Sequence, residues 1–257
     1  MLGKLLKYDL KWTYKLLVIY YGLALVFALL GRGLSLIDNS TVFDILSKIS
    51  CGTAVAMIFN ILINNIIRLW VRYIQNIYKD ESYLTHTLPV KKSEIYLSKS
   101  LSALITMFTS LVVVAVTFII CYWNDGLIDF VKMIYPGITV DAVVITLMVL
   151  VAELLFMVYL GYLAITIGYG KNHNKLLMSF ASGFILYFVS SVISLVCLFV
   201  VGLFNKDILN LFTTMNEVID IGLLKFLLII ALIIYLIYIF ICNVVSNKLL
   251  QKGVNVD

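Results

Sequence analysis

Apolar residues along the chain gather into six long runs separated by short polar islands, and long stretches show no polar outer face of the kind a water-soluble helix carries. A run of about 20 apolar residues spans a bilayer. Lipid offers backbone polar groups no partners, so only helices and closed barrels cross it. The strict alternation of a membrane barrel is absent. The pattern therefore predicts an all-α integral membrane protein with six transmembrane helices, at 16–30, 49–70, 101–123, 142–167, 176–204 and 221–245. Gly31-Arg32-Gly33 closes the first span. Ser40 and Thr41 are placed to cap a brief helix ahead of Asp44.

Three segments between the runs have patterns of their own. Over 1–15, Leu2, Leu5, Leu6 and Leu10 recur at helical spacing with Lys4, Lys7 and Lys11 between them, and Trp12 and Tyr14 follow. This predicts an N-terminal amphipathic interface helix lying in the membrane surface before the chain turns inward. Over 207–220, Ile208, Leu211, Phe212, Met215 and Ile219 share one helical face. That predicts an amphipathic outer helix between spans 5 and 6. Between spans 2 and 3, Asp80 caps a short helix whose Leu84 and Leu88 share a face, Pro89 stops it, and Ser93 caps the helix rising into span 3. The region 78–99 thus reads as a rigid, part-apolar elbow suited to docking another protein.

Composition narrows the class. With 63% hydrophobic residues, two prolines and no low-complexity linker in 257 residues, the chain reads as a single transmembrane domain, 1–257, without a sizeable soluble module. The net charge of +5 does not imply nucleic acid, because lysine and arginine sit at the ends of the apolar runs. Such charges set topology, collecting on the cytoplasmic side. A cytoplasmic N-terminus places Lys4, Lys7, Lys11, Lys15, Arg68, Arg72, Lys79, Lys91, Lys92, Lys99, Lys171, Lys175, Lys248 and Lys252 inside, against Arg32, Lys48, Lys132, Lys206 and Lys225 outside. Both termini are expected in the cytoplasm, and six spans satisfy that parity. The lysines before the first run resemble a signal peptide, but residues 28–33 lack a small-x-small cleavage pair, so the run is read as a retained span. Cys51, Cys121, Cys197 and Cys242 read as small core residues; a disulfide between Cys51 and Cys121 near the outer face is conceivable.

The catalytic inventory is thin. There is no phosphate-binding Gly-x-x-x-x-Gly-Lys-[Ser/Thr] loop and no His-Glu-x-x-His, and the two histidines, His86 and His173, fall in polar connections. No cofactor or metal is expected on this chain, and it is not read as an enzyme. Glu153 is the one acidic residue deep in a span. A charge at mid-bilayer costs about 2.5–3.5 kcal/mol on insertion scales. It marks either a cation, proton or cargo path or a hydrogen-bonded packing residue, with Asn60, Asn64 and Asn65 as partners on span 2. Small-residue pairs at Gly52/Ala56, Ala164/Gly168 and Ser179/Gly183 are sites for close helix packing.

The elbow carries a resemblance. Acidic residues, then Tyr83-Leu84-Thr85-His86-Thr87-Leu88-Pro89-Val90, then Ser93-Glu94-Ile95-Tyr96-Leu97-Ser98-Lys99, are similar to the inner loop of permease subunits of type 2 ATP-binding-cassette (ABC-2) transporters. The basic amphipathic start, six spans and late amphipathic insertion match that layout. The resemblance implies that 80–90 is the coupling helix seated in a separate cytoplasmic ATPase, through Asp80, Glu81, Tyr83, Leu84, Leu88 and Pro89. It also implies that Lys4, Lys7 and Lys11 lie on an interface helix touching that ATPase. Two permeases, identical or related, and two ATPases would form the working unit, with ATP and Mg on the ATPases. The expected function is the membrane subunit of an ATP-driven exporter in a bacterial plasma membrane, moving an amphipathic or hydrophobic cargo, a peptide ahead of a drug or lipid-like molecule. A stand-alone secondary transporter or channel coupled through Glu153, and a non-transporting scaffold or sensor, are the rival classes.

Overall fold

The computed structural model describes residues 2–37, 41–79, 81–122, 139–171, 174–205, 208 and 221–252. Its elements are α1 (Leu2–Ser35), α2 (Thr41–Ile77), α3 (Ser82–Thr87), α4 (Lys92–Tyr122), α5 (Val140–Tyr169), α6 (Lys175–Phe204) and α7 (Ile221–Lys252). All but α3 are long and apolar enough to cross a membrane. The chain divides into two compact units, Met1–Phe130 and Val131–Asp257.

In the first unit, α1, α2 and α4 pack on one another. The buried positions repeat at steps of three and four, the period of helices packed along a shared seam. On α1 they are Asp9, Thr13, Leu17, Ala24, Ala28 and Gly31; on α2 they include Ala54, Ile58, Ile61, Asn65, Leu69 and Arg72. At Gly31 α1 comes close to α2: a Cβ there would lie 3.1 Å from the Cys51 backbone nitrogen, and Ser47 Oγ donates to the Gly31 carbonyl at 2.7 Å. Mid-bundle, Ser110 Oγ joins the Tyr21 hydroxyl (2.7 Å) and accepts from Asn65 Nδ2 (2.9 Å), linking all three helices. In an apolar setting such bonds satisfy groups that would otherwise be stranded.

In the second unit, α5 packs against both α6 and α7. Its turn into α6 rests on small residues. A Cβ on Gly168 would fall 2.4 Å from Ser179 N, one on Gly183 would lie 3.4 Å from Ala164 Cβ, and Ser182 Oγ donates to the Ala164 carbonyl at 2.9 Å. The expected Ala164/Gly168 and Ser179/Gly183 pairs thus pack on each other. Gly52, by contrast, has nothing within 4 Å of its would-be Cβ. The turn ends at Asn174, whose φ of 46° is a left-handed conformation that asparagine tolerates better than most residues. Asp141 and Lys225 pair at the opposite end, so α5 and α7 start on the same side.

Several boundaries differ from those expected. The interface segment and first span are one continuous helix: no proline or glycine interrupts residues 4–21, and the buried stripe that begins at Asp9 runs on through the span. Gly31-Arg32-Gly33 lies inside that helix, whose last turn reaches Ser35. Thr41 opens α2 itself rather than a separate brief helix, with the Asp44–Lys48 pair on its first turns. Ser93 is inside α4, which starts at Lys92. The polar stretch 71–100 is mostly helix, because α2 continues to Ile77 and α4 begins before the apolar run. All four cysteines are free; the Cys51 and Cys121 thiols are neighbours within hydrogen-bonding reach. The expected helix at 207–220 lies outside the described residues except for Ile208.

Candidate functional site

The foot of the first unit is held by charge. Asp9 on α1 is 3% exposed, and both its oxygens are engaged. Oδ1 accepts from Arg72 Nε on α2 at 3.0 Å and from Lys99 Nζ on α4, and Oδ2 accepts from Ser98 Oγ at 2.9 Å. Arg72 then reaches the elbow, where Nη1 donates to Glu81 Oε1 at 2.8 Å and Oε2 at 2.7 Å, and Asn76 Nδ2 adds a bond of 3.0 Å. Two carboxylates meet two cations, so the buried charge is balanced. A buried ion pair is sustained only when its hydrogen-bonding groups find partners; here Ser98 and Asn76 add bonds to the two carboxylates.

The rest of the chemistry locks this foot in place. Trp12 lies under both arginines, its ring 4.3 Å from the Arg68 guanidinium carbon and 5.5 Å from that of Arg72. Arg68 also donates to the Trp12 carbonyl at 2.7 Å. Guanidinium groups favour such aromatic faces. Burial opposes ionisation of Glu81, but hydrogen bonds from Asn76 and Arg72 and the charge of Arg72 outweigh it, so its carboxyl sits below the ordinary value.

Glu81 is the residue before α3, yet its side chain makes no cap bond. It is spent on Arg72 instead. Thr85 Oγ1 donates back to the Glu81 carbonyl at 2.9 Å, and a His86 ring nitrogen meets the Ile77 carbonyl at 3.1 Å. The elbow is therefore clamped on its inner side, with Ser82 and Thr85 buried. Tyr83, Leu84, Leu88 and Pro89 point outward, Tyr83 and Leu84 being 75% and 67% exposed. A cleft of about 610 Å³ opens between the elbow and the foot of α1, lined by Leu5, Tyr8, Lys11, Trp12 and Lys15 on one side and Leu84 and Leu88 on the other. Lys4, Lys7 and Lys11 are exposed along the same end of α1. Asp80 lies outside the described residues.

Glu153 belongs to the second unit. There it lines a pocket of about 350 Å³ with Phe156, Tyr187, Ser190, Ser191, Ser194, Tyr235 and Tyr238. Asn60 and Asn64, in the first unit, donate along their own helix, to the Ala56 and Asn60 carbonyls at 3.0 and 2.9 Å. Asn65 is committed to Ser110 and Met107.

The ionic foot was not anticipated from the sequence. Arg72 reads from the sequence as a topology charge, Lys99 as a topology charge and the end of the elbow motif, Trp12 as part of the amphipathic start, and nothing in the pattern singles out Asp9. The available signal was spacing: Asp9 is one turn before Thr13 and two before Leu17, on the stripe that α1 buries. No protein-family model matches the chain, no curated protein matches its sequence, and no solved structure matches its fold.

Proposed function

We propose that this chain is the membrane-spanning subunit of an ATP-driven exporter, and that a separate cytoplasmic ATPase seats on the elbow around α3. The observation carrying this reading is the elbow's construction: a six-residue helix clamped through Glu81 to Arg72 and thence to Asp9 and Lys99, with an apolar outer edge at Tyr83, Leu84 and Leu88. A partner pressing on α3 would load α1, α2 and α4 together, because one ionic cluster ties all four helices. The resemblance of residues 80–99 to an ABC-2 inner loop, and the absence from the sequence of a phosphate loop, point the same way. The lysines beside the cleft suit a partner with an acidic rim. The working unit would pair this permease with a second one, identical or related, in a bacterial plasma membrane with both termini inside, and export an amphipathic cargo. Such a motion needs an ATPase whose closed and open states differ in affinity for the elbow.

The test is a mild-detergent pull-down of the tagged chain from its native membrane, with mass spectrometry of what co-purifies, repeated with Leu84→Asp and Leu88→Asp combined. Both side chains are exposed, so the change leaves the packed core alone. A stoichiometric ATPase bearing a phosphate loop, lost in the variant at unchanged expression, is the expected result. No ATPase from membranes whose other complexes stay intact would sink the reading and favour a stand-alone transporter working through Glu153.

A further inference from the structure

The pocket around Glu153 is built by three helices of the second unit: Glu153, Phe156 and Met157 from α5, the serines and Tyr187 from α6, and Tyr235 and Tyr238 from α7. The serine and Tyr238 hydroxyls in its wall are spent on backbone carbonyls, while Tyr187 and Tyr235 present their phenol groups beside Glu153. Ser190 and Ser191 Oγ donate to the Tyr187 carbonyl at 2.7 and 2.9 Å, and Ser194 Oγ donates to the Ser190 carbonyl at 2.9 Å. Tyr238 donates to the Ser190 carbonyl at 2.9 Å as well. What these hydroxyls still offer the pocket is lone pairs. No described residue makes a hydrogen bond or ion pair with the Glu153 carboxylate, and the pocket wall holds no lysine, arginine or histidine. In the described part of this unit the basic residues stand at helix ends, and one of them, Lys225, is engaged by Asp141.

Aromatic faces complete the wall. Phe156 stacks obliquely on Tyr235 at 5.7 Å and on Tyr238 at 5.4 Å. A carboxylate, acceptor-rich hydroxyls and aromatic faces together favour a ligand that is positively charged and donates hydrogen bonds. A bare divalent ion fits poorly: hard cations take about six or more oxygen ligands, and no metal-holding group of acidic, histidine or cysteine residues occurs among the described residues. The volume falls in the range of small-molecule sites, roughly 300–1,000 Å³.

We infer that this pocket binds the ammonium or guanidinium head of a cationic amphiphile, with Glu153 as its counter-ion. Calling that ligand the cargo rests on the exporter reading; the binding itself does not. The head enters against Glu153 and the ring faces of Tyr235 and Tyr238, and its apolar body lies along Met157, Leu195 and Leu198.

The whole chain, without any ATPase, would be reconstituted in nanodiscs of zwitterionic phosphatidylcholine and titrated with tritiated dodecylammonium as the probe. Saturable binding is expected, displaced by unlabelled dodecylammonium and not by dodecanol. Glu153→Gln should weaken it by about tenfold or more, the scale of a charge-assisted contact. Tyr235→Leu should weaken it about threefold, and Tyr235→Phe much less, since the ring face is what acts. Elution as the wild-type chain on size exclusion checks that each variant is folded. Equal displacement by dodecanol, unchanged binding in Glu153→Gln, or no saturable binding by the wild type would each overturn the site. The competition arm needs no variant. Because the ATPase is absent, failure here leaves the elbow reading standing, and failure of the pull-down leaves this site standing.

Discussion

Asp9 is where three helices of the first unit converge on one carboxylate, and its removal tests that convergence directly. Asp9→Ala strands Lys99 as a buried cation and leaves Arg72 with Glu81 alone, and breaking a buried pair in this way costs about 3–5 kcal/mol. Thermal unfolding of the purified protein in detergent should show a large loss. Adding Lys99→Met to that variant should recover part of it, because the two changes act on one contact. Asp44→Ala is the contrast. The Asp44–Lys48 pair has side chains 61% and 75% exposed, and such pairs contribute about 0.5 kcal/mol or less. Equal losses from the two alanine variants would show that the foot is not held by charge. Little of this was legible from composition, since an acid among lysines looks solvated until the helices around it are placed. Glu153 is the reverse case, conspicuous by its apolar neighbours, although its wall of serines and tyrosines comes from helices far away in the sequence.

At the scale of elements, helix contacts were readable where small residues mark them, with one exception. Ala164, Gly168, Ser179 and Gly183 pack as their spacing suggests, yet Gly52 faces open space while Gly31, which reads as a helix terminator, forms the close contact with α2. Spacing identifies sites able to approach a neighbour; it does not say which face the neighbour takes. Gly168→Ala is expected to destabilise the α5–α6 turn by about 1–3 kcal/mol, because the new Cβ would lie 2.4 and 2.5 Å from the Ser179 backbone N and Cα, which cannot yield as a side chain can. Gly52→Ala has the space and gains helix propensity, about 1 kcal/mol. Thermal melts of the two variants in one detergent should therefore move in opposite directions. Matching losses would remove the close approach as the cause. The continuity of α1 teaches the same lesson. Amphipathic spacing and apolar spacing looked like two elements, but one buried stripe serves both, so nothing breaks the helix between them.

Across the whole molecule, charge placement makes the broadest prediction. Fourteen lysines and arginines fall on one side of the six runs and five on the other, which orients a membrane protein with the richer side in the cytoplasm. A green fluorescent protein fused after Lys252 should fluoresce, and alkaline phosphatase fused there should be inactive. Phosphatase fused after Ile37 should be active. The reversed pattern would invert the topology and put the elbow out of reach of any cytoplasmic ATPase. Each unit taken alone agrees with the alternation of spans: the feet of α1, α2 and α4 gather at Asp9, and α5 and α7 begin together at the Asp141–Lys225 pair. Six helices long enough to span, the place of their apolar middles and the position of the elbow were determined by the sequence itself. The reason is that lipid demands long apolar segments and proline and charge break them, both being local properties. The tertiary structure alone decided that Asp9, Arg72, Glu81 and Lys99 form one cluster, and that Glu153 shares a pocket with the rings of Phe156, Tyr235 and Tyr238. Those depend on which faces of distant helices meet, and side-chain charge is compensated only once they do.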